Sequence, residues 1–356
     1  MSKTGESESD TVLDVAHLTK FFPVRRSFSE SLRGGPTAVV HAVDDVQFKI
    51  GRGKIYCLAG ESGSGKTTVL RTVLMLTPPT EGSVVFNGVD LAKLKRGELK
   101  KYRTKIQVVF QDPYESVNPR MTVFDIVAEG LFINGLVSSR QNAVEAVLKA
   151  LKDVQLIPPE EYLYRYPHEL SGGQRQRVAI ARALVLDPEL ILADEPVSML
   201  DVSIRAEVIN VLLAIREKRN ISILMVTHDL ALAKDMSDDL AVMYVGKIVE
   251  SGPAVEVVAR HYHPYTHALV AAVPVPDPEG VRIRVLASGE IPTNISPPSG
   301  CRFHPRCPFA QKVCSEEDPP LVEASPKHYV ACHFWKEASE IFSKGADVPE
   351  RPHGST

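Results

Sequence analysis

The chain has 356 residues, 44% of them hydrophobic and 24% charged, and a formal net charge of -3. This length exceeds what one hydrophobic core usually supports, so we predict two or more lobes. The small negative charge argues against a general attraction to nucleic acid. Because the sequence shows neither a long apolar run nor a secretory signal, we expect a soluble, cytoplasmic chain.

The first eleven residues are polar, and we predict a disordered tail for residues 1–11. An alternating strand pattern begins at Val12 and leads to the neighbouring aromatic residues Phe21 and Phe22. Such a side chain could stack on an adenine ring, although most aromatic residues simply pack. Further along, Asn87-Gly88 is a strong hairpin signal.

A glycine-rich loop follows the apolar segment Ile55–Ala59 and precedes a helical pattern. Glycines allow successive N–H groups to point at one anion, and the next helix adds the positive end of its dipole. Lys66 would neutralise phosphate charge, and the Thr67 hydroxyl would ligate Mg²⁺. The G-x-x-x-x-G-K-T spacing therefore predicts a nucleotide site rather than a chance match in a flexible loop. The predicted ATP-binding residues of the loop are Gly60, Ser62, Gly63, Ser64, Gly65, Lys66, Thr67 and Thr68.

Polar residues also follow three apolar segments that are typical of buried strands. Gln111 could ligate Mg²⁺ or position water, and Asp194 could hold Mg²⁺ through water. Glu195 could act as a general base, since neighbouring residues of a strand point to opposite sides. His228 would be structural in most contexts, but at the carboxyl end of a parallel strand beside a nucleotide it would face the ligand.

A helical pattern over residues 121–157 predicts an insertion between Gln111 and the segment L-S-G-G-Q. Ser171 is well placed to cap the helix that follows, and two glycines would leave its first amides bare. The segment therefore predicts either a second anion site or a plainly capped helix. Its residues are Ser171, Gly172, Gly173 and Gln174.

The five cysteines are unevenly distributed. Cys57 lies in the strand before the glycine-rich loop, where we expect a buried small side chain. The other four, Cys301, Cys307, Cys314 and Cys332, lie near the end of the chain. In a reducing compartment such a cluster indicates a metal before disulfides. Four thiolates can hold either Zn²⁺ or an iron–sulfur cluster.

Taken together, these motifs resemble the nucleotide-binding subunit of an ABC transporter over about residues 12–260. The resemblance implies an α/β fold: a RecA-like P-loop NTPase core, an antiparallel β subdomain and an α-helical signature subdomain over about 112–175. It further implies that Phe22 stacks on adenine, with Phe21 as the alternative. Glu195, His228 and Gln111 would be the catalytic residues.

In this family two ATPase chains close head to tail. The resemblance implies that Ser171, Gly172, Gly173 and Gln174 contact ATP held by the opposing chain, and that Asp201 contacts that chain. Ala193 before Asp194 and Met199 near Asp201 depart slightly from the family pattern. Neither departure puts hydrolysis in doubt.

Segments around residues 110–122 and 263–269, and the cysteine-rich tail, resemble the ATPases of oligopeptide/dipeptide importers. We assign residues 261–340 to the tail region, with its cysteine cluster, and 341–356 to a second disordered tail. The resemblance favours a 4Fe-4S cluster in this tail over Zn²⁺, with an unmetallated thiol cluster as a third interpretation. The spacing C-x5-C-x6-C-x17-C also lacks the C-x-x-C pairs that are common in structural zinc sites.

The function implied is an ATP- and Mg²⁺-dependent subunit that drives a peptide importer from the cytoplasmic face of the membrane. Its implied partners are two transmembrane permease subunits, a second ATPase chain, either related or identical, and an extracytoplasmic solute-binding protein, but no nucleic acid. The alternatives are import of oligosaccharides or nickel by the same machinery, and a soluble ABC ATPase that acts on ribosomes or nucleic acid.

Overall fold

The computed structural model describes residues 10–24, 38–112, 117–272 and 292–343. Its strands are β1 (Thr11–Pro23), β2 (Val39–Gly51), β3 (Ile55–Ala59), β4 (Glu81–Phe86), β5 (Val89–Asp90), β6 (Ile106–Val109), β7 (Leu190–Asp194), β8 (Ser222–Thr227), β9 (Asp239–Tyr244), β10 (Lys247–Pro253), β11 (Val322–Ser325) and β12 (His328–Val330).

The α-helices are α1 (Lys66–Val73), α2 (Arg96–Arg103), α3 (Val123–Ile133), α4 (Arg140–Asp153), α5 (Gly172–Leu184), α6 (Val202–Arg219), α7 (Leu230–Met236), α8 (Ala254–Ala259), α9 (Pro264–Ala271), α10 (Lys312–Glu316) and α11 (Trp335–Ser343). Among the described residues, none of these helices combines the length and apolarity needed to cross a membrane.

The chain divides into two compact units. The first unit comprises Met1–Asp14, Lys49–Ile55 and Val85–Val226, and the second comprises Val15–Phe48, Tyr56–Val84 and Thr227–Thr356. Both units draw on separate stretches of the chain, so neither corresponds to a single sequence block. The motifs of the glycine-rich loop and of the signature segment fall in different units.

The first unit contains the parallel strands β6, β7 and β8 in that order. Leu190, at the start of β7, aligns with Ile106 of β6 and with Ser222 of β8. All residues of β8 and nearly all of β7 are buried, as expected for parallel strands covered on both faces. This arrangement brings the carboxyl ends of three strands, and the polar residues that follow them, to one edge.

Helices α3 and α4 lie in the stretch 121–157, where the sequence predicts a helical insertion, and both belong to the first unit. Thr122 caps α3 and Ser139 caps α4, each by accepting a backbone N–H with its hydroxyl. Basic helix α2 has no buried residue among its eight. The predicted hairpin is confirmed: β4 and β5 pair antiparallel through Asn87-Gly88, both at positive φ.

The second unit contains β3 parallel to β9, and β9 continues through antiparallel partners β10, β12 and β11. Strands β2, β1 and β4 are neighbours in a separate sheet. Strand β1 extends to Pro23, beyond the short strand that alternation suggested. Its end is held because Phe21 N–H donates to Thr80 Oγ1 and Thr80 N–H donates to the Thr19 carbonyl.

The predicted disordered tails lie mostly outside the described residues. Their inner limits differ from expectation, because β1 already begins at Thr11 and α11 continues to Ser343. Phe342 explains the longer helix: its ring stacks on His267 of α9 at 3.9 Å between centroids. Burial against a neighbouring helix therefore orders residues that sequence polarity assigned to a tail.

Candidate functional site

The glycine-rich loop links β3 to α1 in the second unit and forms a compact cradle around Lys66. Gly65 has φ 108, and a Cβ there would collide with the Ala42 carbonyl oxygen, so only glycine fits. Lys66 is 5% exposed. Its Nζ donates to the carbonyls of Gly60 (2.7 Å) and Glu61 (2.9 Å) and to Ser64 Oγ (3.3 Å). The ammonium is therefore positioned by the loop itself, at the start of a helix.

The strand below this loop is fully buried, including Cys57 at 0% exposure, as predicted. Burial raises the pKa of the Cys57 thiol, an effect that nearby Lys66 opposes. A neutral thiol in this position acts as a small apolar side chain.

The two candidate adenine-stacking residues differ in exposure. Phe22 is 37% exposed, and Lys20 Nζ lies 5.0 Å from its ring centroid. The Phe21 ring instead packs against His41, with 4.3 Å between ring centroids. Phe22 is therefore the ring with a face available to a ligand.

His228 follows β8 and is exposed, directly before helix α7. Its neighbour Asp229 caps that helix, accepting the Leu232 N–H at 3.1 Å, while Asp229 N–H donates to Thr227 Oγ1. The backbone around His228 is thus fixed by hydrogen bonds on its C-terminal side. This rigidity suits a residue that must hold its imidazole at a constant place.

Two of the predicted catalytic residues meet in the first unit. Gln111 Nε2 donates to Glu195 Oε2 at 3.2 Å, and Asp194 is the last residue of β7. Strand alternation predicted that the two adjacent carboxylates would point to opposite sides, but Glu195 lies past the strand with φ 46. Its side-chain direction is therefore set by a left-handed turn rather than by the pleat.

That turn is held firmly. Glu195 N–H donates to the Val226 carbonyl at 3.0 Å, and the Glu195 carbonyl accepts both N–H and Oγ–H of Ser198. A left-handed conformation is costly for a residue with a side chain and persists where surrounding bonds impose it. Such strain is typical of positions where a side chain must be aimed.

The signature segment forms a capping box at the start of α5. Ser171 Oγ accepts the Gln174 N–H at 3.2 Å, and Gln174 Oε1 accepts the Ser171 N–H at 3.0 Å. Ser171 is exposed and still has its hydroxyl proton to donate. A helix N-terminus with a free hydroxyl donor is suited to an anion. The segment therefore forms a capped helix and also keeps donors that could bind an anion.

Gly173 packs tightly against the next helix. A Cβ at this position would overlap Ile204 Cγ2 of α6, whereas one at Gly172 would meet Leu200 at an ordinary 3.5 Å. Asp201, at the start of α6, is exposed. Arg205 fixes the preceding loop by donating to the carbonyls of Leu200 and Ser198.

The four clustered cysteines come together in the second unit. They line one cavity with the aromatic residues Phe303, Phe309 and Phe334. The pKa of Cys301 is raised to about 11, chiefly by burial and also by nearby Cys314, while a backbone hydrogen bond from Phe303 opposes the shift. All five cysteines are free thiols. Within the described ranges, however, no three His, Cys, Asp or Glu side chains are arranged to hold a metal ion.

Sequence reasoning missed a set of contacts between the tail and the glycine-rich loop. Arg306 forms an ion pair with Glu61 at 3.0 Å, and Tyr265 Oη accepts the Glu61 N–H at 2.9 Å. Both residues were noticed only as parts of family-like segments. No spacing rule connects them with Glu61, because the partners are 245 and 204 positions apart.

Comparison with known proteins agrees with these features. Residues 43–198 match the family model described as ABC transporter, and residues 249–314 match that of the oligopeptide/dipeptide transporter C-terminal region. The chain is 45% identical over 325 residues to a probable peptide ABC transporter ATP-binding protein, y4tS, of Sinorhizobium fredii, covering 91% of this chain and 90% of that protein. It is 43% identical to the oligopeptide transport ATP-binding protein AppF of Bacillus subtilis, covering 92% of this chain and 99% of AppF.

Among solved structures, the chain resembles the dimeric ATP-binding cassette MJ0796 in a post-hydrolysis state bound to ADP and phosphate. The TM-score is 0.59 at 29% identity, over 68% of this chain and 98% of that one. The predicted P-loop NTPase fold is confirmed. This chain is therefore an ABC-type ATPase that belongs to the ABC transporter family and carries the C-terminal region of the oligopeptide/dipeptide transporters.

Proposed function

We propose that this chain is the ATPase subunit of a binding-protein-dependent importer of dipeptides or oligopeptides. The observation that carries the proposal is the match of residues 249–314 to the C-terminal region of oligopeptide/dipeptide transporters, on a chain whose relatives are named for peptide import. Oligosaccharide or nickel import would use the same ATPase chemistry. A role on ribosomes or nucleic acid is the alternative of another class.

ATP binding would use the cradle around Lys66. The ammonium now donates to loop carbonyls, and it would exchange some of these bonds for phosphate oxygens, which form stronger, charge-assisted bonds. Residues 60–68 would supply backbone N–H groups, and the exposed ring of Phe22 would stack on adenine.

The residues that the sequence predicts as Mg²⁺ ligands all carry oxygen donors. Thr67 lies in the first turn of α1, and Asp194 and Gln111 follow the parallel strands β7 and β6. Hydroxyl, carboxylate and amide oxygens are the donors that Mg²⁺ prefers. The bound ion would neutralise charge that develops on the phosphates.

Hydrolysis would depend on Glu195 as the general base. Its carboxylate accepts a hydrogen bond from Gln111 at 3.2 Å, and its backbone is fixed at a left-handed turn. It would take the proton of the attacking water, while His228 would donate to the γ-phosphate. Gln111 would orient the carboxylate or the water.

A second ATPase chain would complete each site. The Ser171 hydroxyl and the amides at the start of α5 would contact ATP bound by the opposing chain, with Gly172, Gly173 and Gln174 forming the same segment. Apolar side chains flank Asp201: Met199 is 62% exposed and Val202 is 80% exposed. Such residues suit a surface that becomes buried when two chains close.

The proposed complex places this chain at the cytoplasmic face of the membrane. Its further partners would be two transmembrane permease subunits and an extracytoplasmic solute-binding protein, which would select the cargo. No candidate membrane helix exists among the described residues, so the permease subunits would supply the membrane path.

The cysteine cavity would hold a metal centre. Four sulfur ligands around one cavity are the donor set of an iron–sulfur cluster or of zinc. A single Zn²⁺ needs all four sulfurs about 2.3 Å from one point. The described side chains are not arranged around a metal ion, so the preference for a 4Fe-4S cluster rests on the resemblance of this tail to the importer ATPases. Iron and sulfide analysis of anaerobically purified protein tests this assignment; one zinc per chain without iron would contradict it.

The proposed function is tested by purifying the tagged chain from native membranes in mild detergent. We expect two polytopic membrane proteins, a second ATPase and a solute-binding protein, with uptake of labelled peptides lost on deletion of the chain. Wild-type chain should restore uptake and Glu195→Gln should not. Recovery of ribosomal proteins without membrane subunits would contradict the proposal, and uptake defects for nickel or oligosaccharides alone would replace the peptide cargo.

A further inference from the structure

The tail region contacts the phosphate loop of its own chain at Glu61, the residue that follows Gly60. Arg306 Nη1 donates to Glu61 Oε2 at 3.0 Å and Nη2 to Oε1 at 3.4 Å, in a two-pronged arrangement. The Arg306 side chain is 8% exposed and that of Glu61 28%. The pair is therefore largely shielded from water, where ion pairs are less weakened than at the surface.

Glu61 is also fixed through its backbone. Its N–H donates to Tyr265 Oη at 2.9 Å, and its carbonyl accepts from Lys66 Nζ at 2.9 Å. One residue of the loop thus joins the lysine of the nucleotide site to two side chains of the C-terminal part of the chain. A shift of Glu61 would move the carbonyl that positions the Lys66 ammonium.

The charge of Glu61 needs a partner at this position. A carboxylate in a loop that receives phosphates would repel them, and the repulsion is strong in a partly buried site. Arg306 supplies a fixed positive charge because arginine does not lose its proton in proteins. Tyr244 supports the guanidinium, with its Oη 3.4 Å from Nη1.

The turn that carries Arg306 belongs to the cysteine-lined segment. Residues His304–Arg306 form a single 3-10 turn, in which His304 N–H donates to the Cys301 carbonyl and Cys307 N–H donates to the His304 carbonyl. Cys301 and Cys307 both line the cysteine cavity. The position of Arg306 is therefore tied to two of the thiol-bearing residues.

A second contact reaches the same loop from another part of the tail. Asn294 Nδ2 donates to the Gly63 carbonyl at 2.9 Å, and the Asn294 carbonyl accepts the His41 N–H at 2.7 Å. The loop is thus supported at two of its residues, Glu61 and Gly63. Two different side chains of the tail region therefore contact the loop, so the contact at Glu61 is not a chance approach of one side chain.

We propose that Arg306 is a positioning residue for the phosphate loop, so that the cysteine-bearing C-terminal region sets the affinity of the chain for ATP. The proposal rests on the proposed nucleotide site at Lys66. Arg306 acts in two ways: it neutralises Glu61 beside the incoming phosphates, and it holds the loop whose carbonyls position Lys66.

The test is a double-mutant cycle measured by calorimetric or fluorescent-nucleotide binding to the purified full-length chain. We expect Arg306→Ala to raise the Kd for ATP about tenfold, the scale of one unit charge acting through a partly buried site. In a Glu61→Gln background, the same substitution should change the Kd less than about twofold, since no charge remains to neutralise. Arg306→Lys should restore part of the affinity.

Steady-state kinetics separate a positioning role of Arg306 from a general loss of structure, because a loss of structure would lower kcat as well as raise KM. In Arg306→Ala, KM for ATP should rise while kcat at saturating ATP falls less than about twofold, because the loop is restored when ATP is bound. Lys247→Ala is the matched control: its ion pair joins Asp318, elsewhere in the same unit, and the Kd should stay as in wild type.

Two results would overturn the inference: an Arg306→Ala Kd within twofold of wild type, or an equal loss in the Glu61→Gln background. Lys66→Ala separates this failure from that of the proposed function. If Lys66→Ala weakens ATP binding and Arg306→Ala does not, only the role of Arg306 fails. If Lys66→Ala leaves binding unchanged, the nucleotide site itself is misplaced.

Discussion

Glu195 is the residue on which turnover is expected to depend most. Its left-handed backbone and its bond from Gln111 fix a carboxylate at the end of a buried parallel strand. Adjacent Asp194 ends the strand itself, so the two acids have separate backbone environments although they are neighbours in sequence. This separation allows one carboxylate to serve a metal while the other serves a water.

The first prediction concerns the charge of Glu195. Glu195→Gln keeps the size and the hydrogen-bonding capacity of the side chain but removes its basicity. We expect the rate of phosphate release to fall about 10²- to 10⁴-fold, the usual contribution of a general base. Equilibrium binding of ATP should change less than about threefold, because no ATP-binding residue is altered. Unchanged turnover would assign the base to another group.

Residue chemistry was predicted well where it depends on neighbours in sequence. The Ser171 cap, the buried Cys57 and the Asn87-Gly88 turn each follow from a local rule and appear as predicted. The left-handed turn at Glu195 was not predicted, because it depends on a hydrogen bond to Val226 in another strand. The Arg306–Glu61 pair was not predicted for the same reason, since its two residues lie even further apart in the sequence.

At the scale of elements, helix α5 lies so close to α6 that position 173 has no room for a side chain. Overlap of a new Cβ with Ile204 requires one helix to shift. Gly173→Ala should therefore lower the free energy of unfolding by about 1–3 kcal/mol, the usual range for overpacking. Urea unfolding followed by circular dichroism measures the change.

Gly172→Ala is the matched control for this helix. Its Cβ would meet Leu200 at 3.5 Å, an ordinary contact, so stability should be unchanged or slightly higher. The Ile204→Ala substitution removes the side chain that a Cβ at position 173 would meet. The double variant Gly173→Ala with Ile204→Ala should therefore lose less unfolding free energy than the sum of the two single losses. Additive losses in the double variant would mean that Ile204 is not the group that excludes a side chain.

Helices α9 and α11 pack through the rings of His267 and Phe342, and protonation of His267 makes the stability of the chain depend on pH. His267 stacks on Phe342 and lies 2.7 Å from His261, measured between ring nitrogens. Burial, and then the neighbouring His261, lower the pKa of His267 to about 4. The folded chain therefore resists a proton that the unfolded chain accepts at an ordinary histidine pKa near 6.5.

The sign of the effect follows from proton linkage. Between about pH 6.5 and pH 4 the unfolded state binds more protons, so the stability that neutral His267 provides is present above this window and is lost as pH falls through it. His267→Phe keeps the ring stack and should flatten the fall in unfolding free energy between pH 7 and pH 5. If the plots of unfolding free energy against pH are parallel for wild type and variant, His267 is not a source of the pH dependence.

At the scale of the whole molecule, the fold class was predicted from the order of motifs and more than one lobe from the length, whereas the stretches that form each unit were not predicted. Each unit combines stretches that are far apart in the chain, such as Lys49–Ile55 with Val85–Val226. Sequence patterns give strands and helices because these depend on neighbouring residues. They give no comparable signal for which distant stretches pack into one compact body.

The proposed closure of two chains is tested with the capping residue Ser171. Glu195→Gln with ATP should form a dimer by light scattering, because ATP would be trapped between the chains. Adding Ser171→Arg should abolish dimer formation while each chain still binds ATP through Lys66, since a bulky side chain would block the opposing site. A Glu195→Gln chain that stays monomeric with ATP would indicate that the working partner is a related ATPase rather than a second copy.

The contacts at Glu61 also bear on the order in which the protein becomes competent during its synthesis. The phosphate loop leaves the ribosome early, but Arg306 follows 245 positions later. A nascent chain would therefore carry the complete glycine-rich motif for most of translation without the residues that hold it. A fragment ending near residue 260 would be expected to behave in the same way, so measurements on an isolated ATPase domain would underestimate the nucleotide affinity of the finished protein.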